Sequence, residues 1–152
     1  MSVLNWSDIV LLRADGTEVA FSAYNGKPCI VFYEDRGSTE KNQAFKAQLF
    51  ALEKDFSART HVIAIANLAA WNFFPARDFA LAAIRKLEKK LCIAILVDFQ
   101  GALTAAPFRL PNEGSTVVVL APDGVEVMRK SGTLSVAEAT EVLQRVHHAV
   151  VV

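Results

Sequence analysis

The chain has 152 residues, with sixteen basic and sixteen acidic side chains and a formal net charge of zero. Its length predicts a single domain over residues 1–152, and a hydrophobic fraction of 53% excludes a largely disordered chain. The balanced charge excludes the basic surface that nucleic acid or an anionic membrane attracts. No apolar run reaches the ~20 residues of a bilayer span, so we expect neither nucleic acid nor membrane as a partner.

The chain opens with a predicted β-hairpin and a buried strand. Residues 9–12 and 19–21 are apolar segments on either side of Asp15-Gly16, a dipeptide suited to the positive φ angles of a tight turn. Asn25-Gly26 marks the next turn. Residues 29–33 then form an unbroken apolar run, which is typical of a strand covered on both faces.

A helix is predicted directly after Gly37. We expect it to begin at Ser38 or Thr39, whose hydroxyls cap exposed amides, and to run to about Phe56. Glu40 in the first turn complements the helix dipole. One face of this helix is indicated by apolar residues at spacings of four, three and four, namely Phe45, Leu49, Leu52 and Phe56.

An aromatic loop follows the second buried strand, which is predicted at residues 61–66. The loop contains Trp71, Phe73 and Phe74. We favour packing of these rings onto the sheet over presentation to a partner, although the loop is also the best candidate for a protein contact.

The next helix opens at Pro75, a residue suited to a first helical turn. Its apolar stripe is predicted to consist of Phe79, Ala83, Leu87 and Leu91. Residues 91–97 are strand-like, and residues 102–114 form an irregular connector.

A second hairpin and a last helix complete the pattern. Residues 116–120 and 125–129 flank the turn Pro122-Asp123-Gly124, and Ser135 with Glu138 forms a capping box. The last helix is predicted to bury Val136, Ala139, Leu143, Val146 and Val150. This order of elements indicates an α/β domain in which a mixed sheet carries helices on both faces.

The order resembles the thioredoxin fold, with the N-terminal hairpin and mid-chain insertion of peroxiredoxins and their relatives. Residues 96–103 resemble the L-L-D-x-x-G segment of redoxin-type proteins, and residues 115–124 resemble their P-T-x-x-x-x-D-x-x-G strand and turn. The resemblance implies a thioredoxin-like fold, with a mixed central sheet flanked by helices and an extra N-terminal β-hairpin.

A closer resemblance is to the bacterial YtfJ family, thioredoxin-like proteins of poorly defined function. It rests on residues 36–42 before the first helix, residues 115–124 and residues 131–135 before the last helix. Members of that family usually carry an export signal, whereas the first twenty residues here include Asp8 and Arg13 and lack the pattern of such a signal. The expected location is cytoplasmic, or periplasmic if a signal peptide has been removed.

The resemblance also implies that the redox dithiol is missing. Gly26-Lys27-Pro28 and Phe32-Tyr33 match a thioredoxin-type pattern that runs on to C-x-x-C, and this alignment places Gly37 and Glu40 at the two cysteine positions. Thr116 falls where thioredoxins place a cis-proline beside the active site.

The two cysteines, Cys29 and Cys92, are too few for a disulfide scaffold, and both open apolar strand-like runs. We favour buried, reduced thiols that behave as small hydrophobes. The alternative is a thiol-dependent oxidoreductase or peroxidase-like enzyme that acts through Cys29 or Cys92.

Without a dithiol at these positions, the chain is predicted to be a non-catalytic binding protein without a cofactor. No metal is expected either, because the adjacent His147 and His148 cannot chelate an ion from one helix face. Its partner is an unidentified protein or small molecule at the carboxyl edge of the sheet, and a homodimer remains open. The acidic loop after the first buried strand is either a solvated surface or a recognition site. The candidate binding residues are Glu34, Asp35, Arg36, Gly37, Ser38, Thr39, Glu40, Trp71, Ser115 and Thr116.

Overall fold

A computed structural model describes residues 4–38, 40–51, 59–91 and 95–151, with residues 36, 50, 51, 91 and 149–151 described by their backbone alone. The interpretations of Thr39, of Cys92 and of the helix end near Phe56 lie outside these residues, as does any role of the Arg36 side chain. No helix of the described part is both long and apolar enough to cross a lipid bilayer.

The centre of the molecule is a seven-stranded mixed sheet. Three neighbouring central strands are parallel, and an antiparallel pair lies at each edge. The strands are β1 (Val10–Arg13), β2 (Glu18–Ala20), β3 (Cys29–Asp35), β4 (His61–Asn67), β5 (Ile95–Asp98), β6 (Ser115–Leu120) and β7 (Glu126–Ser131). Their order across the sheet is β2-β1-β5-β4-β3-β6-β7.

Three α-helices of the described residues pack on one face of this sheet. They are α1 (Gln43–Ala51), α2 (Ala76–Leu91) and α3 (Val136–Val151). Phe32 and Val117 share a core with α1 and α3, while Ala66 and Val97 contact α2 from the same side. Right-handed crossovers from β3 to β4 and from β4 to β5 place α1 and α2 on that side.

The opposite face carries no α-helix from the described residues, so the expectation of helices on both faces is wrong. Trp6 and Phe21 from the N-terminal segment cover this face, together with Leu103 and Leu110 from the connector. The buried Asp98 carboxylate positions the connector, because its oxygens accept hydrogen bonds from the amides of residues 102 and 103. Irregular segments of the described chain therefore cover this face in place of an α-helix.

The first helix begins later than predicted, at Gln43 rather than at Ser38 or Thr39. Strand β3 continues through Asp35, and a single 3-10 turn (Arg36–Ser38) follows it. The carbonyl of Ser38 accepts a hydrogen bond from the Lys41 amide. The Ser38 hydroxyl therefore does not cap the first turn of α1.

Other sequence predictions are confirmed. Both hairpins form, with Gly16 and Gly124 at positive φ. The capping box is present in full, since the Glu138 amide donates to Ser135 Oγ and the Ser135 amide donates to the Glu138 carboxylate. In α3, Ala139 and Val146 are buried as predicted, and Val142 is buried in addition, whereas Val136 is 86% exposed. The Val150 side chain lies outside the described residues.

Candidate ligand-binding cleft

The carboxyl edge of β3 holds a buried ion pair. Glu34, only 5% exposed, accepts from Lys46 Nζ of α1 at 2.5 Å and from Ser115 Oγ of β6 at 2.6 Å. Lys46 Nζ also lies 5.2 Å from the centre of the Phe32 ring. Burying a carboxylate is costly unless it is paired and hydrogen-bonded. Glu34 therefore joins three elements and is not a loop residue that faces solvent.

Asn42 extends this polar cluster toward the last helix. Its side-chain nitrogen donates to Ser115 Oγ at 2.8 Å and to the Gly132 carbonyl at 3.1 Å. Its side-chain oxygen accepts from the Leu134 amide at 2.9 Å. One buried amide thus ties the start of α1 to β6 and to the turn that precedes α3.

Asp35 and the two candidate residues of β6, Ser115 and Thr116, differ in the direction in which their side chains point. An Asp35 carboxylate oxygen accepts from the Gly114 amide at 3.3 Å, beside Ser115. Thr116 pairs with Tyr33 in the ladder, and its hydroxyl contacts Ser131. The side chain of Thr116 therefore points to the face opposite Ser115.

Gly37 lies in the 3-10 turn immediately after β3. It is exposed, and a Cβ added there would meet no heavy atom within 4 Å. Ser38 beside it is buried, while Glu40 is exposed. Gly37 and Glu40 therefore face solvent, while Ser38 is turned inward.

A cleft of about 900 Å³ lies between α1 and α2 and reaches this edge, since Glu34 and Asp35 are among its lining residues. Four of the predicted residues line it, namely Glu34, Asp35, Glu40 and Trp71. Arg36, Gly37, Ser38, Thr39, Ser115 and Thr116 are not among its described lining residues. The structure thus joins the acidic segment after β3 to the aromatic loop after β4 through one concave surface.

Small side chains open this cleft. The floor includes Ala64 and Ala66 of β4, and the walls include Ala47 of α1 and Ala80 and Ala83 of α2. An alanine side chain is too short to fill the space between two neighbouring helices. The alternation Ile-Ala-Ile-Ala at residues 63–66 was the available signal, because it puts large residues on one face of β4 and small ones on the other.

The stripe predicted for α2 faces the cleft and not the core. Phe79, Ala83 and Leu87 line the cavity, and Phe79 is 72% exposed, whereas Leu81 is buried against the sheet. The predicted apolar stripe therefore lines the cleft, because α2 has two apolar faces and the neighbouring one packs on the sheet. The Leu91 side chain lies outside the described residues.

The aromatic loop also differs from the favoured interpretation. Phe73 and Phe74 are 59% and 86% exposed, so neither is packed onto the sheet, and Phe73 lines the cleft. Trp71 is half-buried and contacts the core at Leu68. Exposed apolar rings beside an apolar cavity are typical of binding surfaces.

The described thiol lies away from this edge. Cys29 is at the amino end of β3, is 3% exposed and packs in the core on the opposite face from α1. Burial raises the pKa of its thiol to about 12. Cys29 is therefore protonated at neutral pH and lacks the exposed, electropositive setting of a reactive cysteine.

Comparisons with known proteins identify the fold. No family model matches the chain, and no curated protein matches it significantly. A Chlorobium tepidum structure described as a thiol:disulfide interchange protein DsbE is similar over 99% of this chain and 98% of its own, with a TM-score of 0.70 and 14% identity. An exposed lipoprotein thioredoxin from Streptococcus pneumoniae is similar over 93% and 98%, with a TM-score of 0.67 and 18% identity.

A secreted disulfide oxidoreductase from Mycobacterium tuberculosis is similar over 93% of this chain and 96% of its own, with a TM-score of 0.62 and 15% identity. These three matches cover nearly the whole of each chain. The protein therefore has a thioredoxin-like fold. At these identities the similarity extends to the fold alone.

Proposed function

We propose that this protein is a thioredoxin-fold binding protein that works without dithiol exchange and takes its ligand in the α1–α2 cleft. The observation that carries the proposal is that this cleft, which runs along the sheet between the two helices, reaches the carboxyl edge of β3 and β4. Ligands of open α/β sheets bind outside the carboxyl ends of the strands. The volume of the cleft, about 900 Å³, and its mainly apolar lining also suit a small-molecule site.

The distribution of thiols supports the non-catalytic part of the proposal. The sequence has no cysteine between Tyr33 and Leu91, so the segment that forms this edge carries no nucleophilic sulfur. Cys29 is at the far end of β3 and is buried. Cytoplasmic location and the YtfJ-type relationship stay predictions beside this proposal.

Binding in the cleft is tested with Nile red, a neutral apolar fluorophore. Ala47 lines the cleft from α1, whereas Ala44 is exposed on the same helix outside it. We expect fluorescence enhancement with the wild type and the Ala44→Trp control, and its loss in Ala47→Trp. Equal enhancement in both variants, or none in the wild type, overturns the proposal.

The catalytic alternative is tested with insulin reduction and peroxide consumption in the presence of dithiothreitol. We expect rates at background for the wild type and for the Cys29→Ser and Cys92→Ser variants. Turnover by the wild type that disappears in either serine variant establishes the thiol enzyme instead.

A further inference from the structure

The charged groups along the α1–α2 cleft are unevenly distributed. Glu34 and Lys46 form an ion pair and largely cancel each other. Asp35 and Glu40 remain at the carboxyl edge, and Lys90 lies near the C-terminal end of α2. Among the described side chains of the lining, the cleft is therefore acidic at its mouth near the 3-10 turn and basic at the other end.

Three of the four aromatic residues in the described lining lie at the acidic end, and the fourth, Phe32, lies in the middle of β3. Trp71 and Phe73 follow β4, and Phe79 belongs to the first turn of α2, so all three are on the side of the carboxyl edge. The other end of the floor is aliphatic, with Val62 near the start of β4 and Leu87 late in α2. The cleft thus combines carboxylates and aromatic rings at one end with an apolar channel behind them.

This arrangement selects among ligand classes. Aromatic faces attract organic cations, and carboxylates add a favourable charge interaction. An anionic headgroup at the same end would meet Asp35 and Glu40 without a described cation of the lining to compensate, because Lys46 is paired with Glu34. Lys41 lies outside the described lining, but its Nζ is close to Gly114, whose amide donates to Asp35, so it offsets part of the Asp35 charge and leaves Glu40 as the main carboxylate of the mouth.

We propose that the ligand of the cleft is an amphiphilic organic cation, with its ammonium group at Asp35, Glu40 and the aromatic rings and its apolar body toward Val62 and Leu87. This inference rests on the proposed function, since it assigns a ligand class to the same cleft. Lys90 disfavours the reverse orientation, which would bring two positive charges together.

The experiment compares three probes with the same eight-carbon chain: octyltrimethylammonium, 1-octanol and octanoate. The readout is the fluorescence of Trp71, since Trp6 is fully buried in the opposite core, and Trp71→Phe identifies the signal. We expect octyltrimethylammonium to bind about tenfold more tightly than octanoate at low ionic strength, with octanol between them.

Two charge variants locate the headgroup. Glu40→Gln is expected to weaken octyltrimethylammonium binding about fivefold, as for a partly exposed charge interaction, and to leave octanol binding unchanged. Lys90→Gln is the matched control and leaves cation binding unchanged or slightly tighter. The melting temperature of each variant is expected to match that of the wild type, because both side chains are exposed. A change in binding then does not reflect unfolding.

The outcomes separate the two proposals. If Ala47→Trp abolishes the Nile red signal but octanoate binds the wild type as well as the cation does, the cleft is a binding site and the cationic ligand is wrong. Octanoate binding that depends on Lys90 overturns it as well. If no probe binds, or Ala47→Trp changes nothing, both the ligand class and the proposed function fail.

Discussion

Glu34 illustrates how a charged residue becomes part of the core. It follows five buried residues in β3, and strand pairing puts its side chain on the face that α1 covers. Two charge-assisted contacts, from Lys46 and Ser115, offset the loss of hydration. The cluster therefore holds the mouth of the cleft in one geometry.

Removing one member of the pair should be costly. Lys46→Met keeps most of the apolar stem but leaves the Glu34 carboxylate without its cation. We expect the free energy of unfolding to fall by about 2 kcal/mol, less than for a fully buried pair, because the Lys46 side chain is 20% exposed. Urea denaturation measures it, with Lys86→Met on the exposed side of α2 as control.

A double variant separates charge from packing in this cluster. Glu34→Gln combined with Lys46→Met leaves no unpaired charge, so its loss of stability should be smaller than the sum of the two single losses. Additive losses would show that the interaction between the two charges contributes little.

Cys29 should behave as a core residue in solution. Because burial raises the pKa of its thiol to about 12, raising the pH from 7 to 9 should not make Cys29 reactive toward iodoacetamide in the native state. Peptide mass spectrometry after alkylation measures this, with urea-unfolded protein as the positive control. Native labelling at the unfolded rate would contradict the buried position.

The same pKa shift determines a dependence of stability on pH. The folded protein holds the Cys29 proton more tightly than the unfolded chain, whose thiol titrates near 9.0. This contribution is complete below pH 9 and is lost as pH rises through about 12. The fall in unfolding free energy over this range should be smaller in Cys29→Ala.

At the scale of the element, the capping box controls the start of α3. Ser135→Ala removes the hydroxyl that accepts the Glu138 amide, so we expect a loss of about 1 kcal/mol in unfolding free energy. Ser135→Asp, which keeps an acceptor, is the matched control. Equal losses in both variants would mean that the cap contributes nothing.

Glu138 adds a pH dependence to the same helix start. Hydrogen bonds from Ser135 lower the pKa of Glu138 below its ordinary value of 4.5. The stabilisation is therefore present above pH 4.5 and is lost as pH falls through the lowered pKa. Acid titration of unfolding free energy in Glu138→Gln should lack this component, and an unchanged curve would rule it out.

Turn chemistry and capping were predictable because they depend on neighbours in the sequence. Gly16, Gly124 and the Ser135 box act within a few residues, and all form as expected. The start of α1 was not predictable, because partners of Glu34 lie 12 and 81 residues away in Lys46 and Ser115. Contacts with these distant residues favour the continuation of β3 through Asp35, and α1 begins only at Gln43.

The cleft was predictable only in part, for a similar reason. The acidic segment and Trp71 could be assigned to one sheet edge from the order of elements alone. Periodicity could not decide which apolar face of α2 packs, because Phe79 and Leu81 belong to different faces and both are hydrophobic. Contact with Ala66 and Val97 selects the Leu81 face and leaves Phe79 at the cavity.

At the scale of the whole molecule, the thioredoxin-like fold is present, and the alignment of Gly37 and Glu40 with two cysteine positions stays a prediction. The sheet order, the helix that follows β3 and the turn between them are all in place. If Gly37 and Glu40 align with the two cysteine positions, the fold should accept a dithiol there with little change elsewhere. This alignment can be tested directly.

The double variant Gly37→Cys with Glu40→Cys should therefore acquire a disulfide. Gly37 is exposed, is not among the glycines at positive φ, and has open space where a Cβ would stand, while Glu40 is exposed three residues later. We expect the new pair to resist alkylation after air oxidation and to give insulin reduction with dithiothreitol, measured by turbidity. Each single variant is the matched control and should give neither. If the double variant melts like the wild type yet forms no bond between residues 37 and 40, those positions do not correspond to the dithiol, and the comparison with redox thioredoxins fails at this edge.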